Sequence, residues 1–125
     1  MPMDKRTLIS IVDDDESVRE SLPDLLGELG FASRAFNSGE AFLASEFVQQ
    51  TECLILDIAM PGMSGFDVQR ELKFRRHEIP IVFITAHRDE TTRPGVLGEG
   101  AVACLLKPFS DTALLQAIHT VLDNK

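Results

Sequence analysis

Short apolar runs alternate with segments of helical spacing along the whole chain. Leu8–Val12 (LISIV), Ala32–Phe36, Cys53–Leu56, Pro80–Thr85 (PIVFIT) and Val102–Leu106 read as five strands. Between them, Glu16–Leu29 has helical spacing and Gly30 stands where a helix would stop. Ser38 has the position of an N-cap ahead of Ala41, Phe42 and Leu43. Ser64 with Asp67 three residues on resembles a capping box that opens a helix to about Arg76. Ser110 caps a last helix with Leu114, Ile118, Val121 and Leu122 on one face.

Five such units in succession predict an α/β fold: a doubly wound, five-stranded parallel sheet with helices on both faces. The third and fourth strands are nearly unbroken apolar runs, as expected for strands covered on both sides. In open sheets of this kind ligands bind outside the carboxyl ends of the strands. No repeat or linker interrupts the pattern, so residues 1–125 read as one domain.

Composition narrows the function classes. The hydrophobic content of 44 % supports one continuous core. A net charge of −8 argues against nucleic-acid binding by this segment, because phosphate contacts need clustered Lys and Arg. No apolar run approaches the roughly 20 residues of a membrane span, and the N-terminus lacks a signal-peptide core. A cytoplasmic setting is expected. Cys53 and Cys104 lie in apolar runs without metal or redox spacing, and are expected to be two buried, reduced thiols.

The carboxyl ends carry the candidate chemistry. The first strand runs into Asp13, Asp14 and Asp15, the third ends on Asp57, the fourth on Thr85, and the fifth on Lys107-Pro108. Carboxylates so close repel one another unless a cation joins them. Mg2+ suits the set, since it takes oxygen ligands and keeps open positions for phosphate oxygens. A carboxylate can attack phosphorus to give an aspartyl phosphate. Mg2+, Lys107, and Thr85 or backbone N–H groups after Asp57 would then neutralise the phosphoryl oxygens.

With IVDDDESVRESL, LILDIAMPGMSGFD, IVFITAH and LLKPF in register, the chain resembles a response-regulator receiver domain over essentially its whole length. FNSGEAFL and Ala86–Asp89 are similar to the nitrogen-fixation (FixJ-like) branch. The resemblance implies the flavodoxin-like strand order 2-1-3-4-5. It also implies that Asp57 is the phosphoacceptor. Asp14, Asp57 and the backbone carbonyl of Ala59 would hold Mg2+, or Mn2+ in its place, with Asp13 acting through water. It makes Thr85 the switch hydroxyl, Lys107 the phosphoryl partner and the Lys107–Pro108 peptide cis. Asp15 falls on a variable acidic position, a peripheral helper or an N-cap. The implied partners are a histidine kinase, a DNA-binding or other output domain in a longer protein, and a second copy through the fourth helix, fifth strand and fifth helix. The implied role is a signalling phosphoacceptor that assists its own phosphorylation and dephosphorylation, rather than an enzyme.

Two features depart from that family. Cys104 stands where an aromatic usually swings inward, so readout is expected to run through Thr85, the backbone near His87 and the fourth helix. That helix should fall in residues 88–100, where Pro94, Gly95 and Gly98 each disfavour helix. Pro23 is expected to kink the first helix. His87 is a candidate gate beside the site or a plain solvent-facing residue. His77 and His119 read as late-helix positions. Two other classes compete with this reading: a haloacid-dehalogenase-type phosphohydrolase, for which Asp13 and Asp15 have superficially matching spacing, and a flavodoxin-like cofactor module. The former needs a late acidic pair and a cap domain, neither of which this sequence shows. The latter needs a phosphate cradle where this chain has three acids.

Overall fold

A computed structural model describes residues 6–87 and 102–123 of the chain. Five parallel strands form one sheet: β1 (Leu8–Val12), β2 (Ala32–Phe36), β3 (Cys53–Asp57), β4 (Ile81–Thr85) and β5 (Val102–Leu106), in the order β2-β1-β3-β4-β5. Helix α1 (Glu16–Glu28) follows β1, α2 (Gly39–Leu43) follows β2, α3 (Gly65–Phe74) follows β3, and α4 (Asp111–Asp123) follows β5. The helix expected within 88–100 lies outside the described residues.

The two-residue period of the strands sorts their side chains into two cores. Ile9, Ile11, Cys53, Ile55, Val82 and Ile84 point to the side covered by α1 and α4, where Leu22, Leu26, Leu114 and Ile118 meet them. Val12, Leu54, Leu56, Ile81 and Phe83 point the other way, onto Phe42 and Leu43 of α2 and Val68 and Leu72 of α3. Ser10, the one polar residue of β1, is fully buried and its hydroxyl lies 2.6 Å from that of Thr51. The central strands are therefore covered on both faces, and their polar carboxyl-end residues form one edge.

Helix ends follow the expected chemistry, with one exception. The Ser38 hydroxyl accepts from the Ala41 N–H, and Ser64 and Asp67 form a reciprocal capping box. α1 continues through Pro23, whose missing N–H costs one helical bond. It closes on Gly30, at φ +93°, with the N–H groups of Gly30 and Phe31 donating to the carbonyls of Gly27 and Leu26. α3 ends earlier than the sequence suggests. Arg76 takes the left-handed conformation at φ 63°, and the N–H groups of Arg76 and His77 donate to the carbonyls of Lys73 and Leu72. His77 thus lies beyond the helix rather than late within it. His119 is an exposed residue of α4.

Candidate functional site

The parallel register brings the ends of β1, β3, β4 and β5 to one edge of the sheet. There the structure places Asp13, Asp14, Asp57, Thr85 and Lys107 together. Asp13 is fully buried, Asp57 is 5 % exposed, and Asp14 is exposed. Oxygen atoms of the three carboxylates all lie within 4.8 Å of one another. The Lys107 ammonium lies 2.8 Å from Asp13 Oδ2 and 3.7 Å from Asp57 Oδ2.

Local structure fixes the ends of β3 and β4 at this edge. Asp57 is the last residue of β3, one residue further than the apolar run alone predicts, and pairs with Ile84 of β4. Its Oδ1 accepts from the Ala59 N–H at 3.3 Å. The following loop is held by the Ile58 N–H donating to the Ile84 carbonyl and the Gly65 N–H donating to the Ile58 carbonyl. Gly65 allows this closeness, because a Cβ there would lie 2.6 Å from the Asp57 carbonyl oxygen. Thr85 is fully buried; its hydroxyl oxygen accepts the His87 N–H at 3.0 Å and its carbonyl accepts the Lys107 N–H at 2.7 Å. The Lys107–Pro108 peptide is cis. The His87 side chain is exposed, and Cys104 is half-buried against the α2–α3 side of the core.

Asp15 is an N-cap. Its Oδ1 accepts from both the N–H and the hydroxyl of Ser17, and those bonds hold its carboxyl below its ordinary pKa. Asp13 is tied at each polar group. Its N–H donates to the Phe36 carbonyl, Oδ1 accepts the Asp15 N–H, Oδ2 accepts from Lys107, and its carbonyl accepts from Arg19 at 3.0 Å. Gly65 and Arg19 were not singled out in the sequence. Gly65 lies in the MSGFD segment, but its role depends on how close two chain segments come.

Electrostatics follow from this packing. Burial, then the neighbouring Asp13, pushes the Asp57 carboxyl up to about 7, against the pull of Lys107. For Lys107, burial opposes the charge, but the hydrogen bond to Asp13 and the attraction of Asp13 and Asp57 outweigh it and raise its pKa. One lysine facing three carboxylates leaves the site with excess negative charge. The donor set is all oxygen and partly exposed through Asp14. Hard divalent cations such as Mg2+ fit such a set.

A family model described as the response regulator receiver domain matches residues 9–119. The chain is 42 % identical over 119 residues to the response regulator protein TmoT of Ectopseudomonas mendocina, covering 95 % of this chain and 54 % of that protein. It is 40 % identical over 111 residues to the transcriptional regulatory protein FixJ of Rhizobium meliloti, covering 89 % and 54 %. Its fold matches the response regulator TrrA of Thermotoga maritima in complex with Mg(2+)-BeF, with a TM-score of 0.80, 28 % identity, and coverage of 93 % and 99 %. The chain belongs to the response-regulator receiver domain family, whose general function is phosphorylation-dependent switching in two-component signalling. It spans about half the length of the curated relatives it matches.

Proposed function

We propose that this receiver, residues 1–125 as one domain, takes up a phosphoryl group on Asp57 from a histidine kinase or a small phosphodonor. The observation that carries this reading is the convergence of a buried carboxylate, two further carboxylates and a lysine at the end of β3. Asp14, Asp57 and the Ala59 carbonyl are the ligands we assign to Mg2+, with Asp13 acting through water and Mn2+ as a substitute. The binding of Mg(2+)-BeF by TrrA supports the assignment.

In the reaction an Asp57 carboxylate oxygen attacks phosphorus, the bond to the donor breaks, and the donor keeps the electron pair. Lys107 and Thr85 face the incoming phosphoryl oxygens, and the Ala59 N–H already points at an Asp57 oxygen. Bound Mg2+ would supply the remaining neutralising charge and favour the ionised carboxylate. The domain assists its own phosphorylation and dephosphorylation and is not a turnover enzyme. Asp15 serves as the N-cap of α1 through its Oδ1, which speaks against its acting as the second acid of a phosphohydrolase.

Readout runs through Thr85 and the backbone at His87, whose N–H already holds the Thr85 hydroxyl oxygen, rather than through a swinging aromatic at Cys104. The partners we assign are a histidine kinase, implying a cytoplasmic setting, and an output domain or protein. A second copy would bind through β5, α4 and the segment 88–100. The test is phosphoryl uptake from a small phosphodonor with Mg2+, with the modified residue located by mass.

A further inference from the structure

We infer that Arg19 positions the cation site by fixing the Asp13–Asp14 peptide. The inference rests on reading the acidic cluster as a Mg2+ site. Arg19 lies in the first turn of α1, where a cation opposes the helix dipole. Its half-buried side chain turns back along the helix to donate to the Asp13 carbonyl at 3.0 Å.

That bond acts on the right atoms. A peptide is planar, so holding the Asp13 carbonyl also fixes the direction in which the chain enters Asp14. The other three polar groups of Asp13 are held by Phe36, Asp15 and Lys107, which anchor the residue itself. The Arg19 bond orients the link to Asp14, the exposed carboxylate of the cluster. Arg19 touches neither Asp57 nor a reacting atom in this arrangement; it is a positioning residue.

Charge and position make opposite predictions. As a mere neighbouring cation, Arg19 would repel Mg2+, and removing it would tighten binding. As the residue that orients Asp14, its removal weakens binding. Partners that orient metal ligands typically contribute about 10–100-fold to metal affinity. With one carbonyl bond lost, about tenfold is expected for Arg19→Met.

The experiment titrates Mg2+ alone into the wild type, Arg19→Met, Arg19→Lys and Asp57→Ala, following affinity by calorimetry and the Asp15 amide by NMR. Thermal melts confirm that each variant is folded. Arg19→Met should bind Mg2+ about tenfold more weakly. Arg19→Lys, which keeps the charge and a donor on a shorter stem, should fall between it and the wild type. Phosphoryl uptake by Arg19→Met should show a higher half-saturating Mg2+ concentration that excess Mg2+ overcomes. Unchanged or tighter Mg2+ binding by Arg19→Met overturns the inference, as does an uptake defect that excess Mg2+ leaves intact. Absence of Mg2+ binding that depends on Asp57 in the wild type instead overturns the underlying reading of the site.

Discussion

Lys107 is shared unequally between two carboxylates: its ammonium lies 2.8 Å from Asp13 Oδ2 and 3.7 Å from Asp57 Oδ2. The closer partner is the fully buried one. Lys107 therefore compensates Asp13 before it serves Asp57. Removing one partner of a buried pair leaves an uncompensated charge, with a cost of about 3 kcal/mol or more. Lys107→Met should lose stability of that order in urea denaturation at neutral pH. Excess Mg2+ should restore part of it by supplying positive charge to the same carboxylates. A variant as stable as the wild type would show that Asp13 does not depend on Lys107.

Asp57 makes stability pH-dependent in the unusual direction for a carboxylate. Its ordinary value is 3.8, and in the fold it is pushed up to about 7, first by burial and then by Asp13. Between those values the unfolded chain has released the proton and the folded chain has not. The folded state then binds more protons, so stability falls as pH rises through this window, and the penalty is complete above about 7. Asp57→Asn removes the penalty. In metal-free buffer it should exceed the wild type in stability by on the order of 3 kcal/mol at high pH. The gap should close toward the acid end of the window, as read from denaturation midpoints across pH. A gap independent of pH would exclude titration of Asp57 as its cause.

Gly65 sets how closely α3 approaches the end of β3. A Cβ there would come within 2.6 Å of the Asp57 carbonyl oxygen and 2.9 Å of Ile58 Cα, and both neighbours are backbone. Gly65→Ala should destabilise the fold by roughly 1–3 kcal/mol, the usual range for overpacking. It should also slow phosphoryl uptake, because the strain falls on the peptide after Asp57. Calorimetric melting and uptake rates check the two effects separately.

At the far end of α3 the expected sign reverses. Arg76 occupies a left-handed position, which costs an L-residue roughly 1–2 kcal/mol. The equivalent place after α1 is already glycine, Gly30. Arg76→Gly should raise stability by about 0.5–1 kcal/mol, after the entropy that glycine adds to the unfolded chain. Phosphoryl uptake should not change, since the site lies at the opposite end of the helix. A loss of stability would mean that the Arg76 side chain contributes more than its backbone strain costs.

Much of this was legible in the sequence because the signals are local. The apolar runs locate the strands to within a residue, and Ser38, Ser64 and Gly30 mark helix ends through bonds made within a few residues. A parallel sheet then carries Asp13, Asp57, Thr85 and Lys107 to one edge without further information. What was not legible depends on distances between remote segments. Arg76 carries no glycine signal, so α3 ends before the point its spacing suggests. Asp57 joins β3 through pairing with Ile84, which the run CLIL does not reveal. Gly65 and Arg19 act on the backbone of Asp57 and Asp13, and only the packed structure shows which atoms they meet. Lys107 could be matched to carboxylates from the topology, but not to Asp13 ahead of Asp57.

The most direct test of the central claim is mass measurement of the chain after incubation with a small phosphodonor and Mg2+, compared with Asp57→Ala and with a metal-free control. The account predicts a gain of one phosphoryl group in the wild type, located to Asp57, weak or absent without Mg2+, and absent in Asp57→Ala. Uptake that survives Asp57→Ala, or that maps to Asp13, would contradict it.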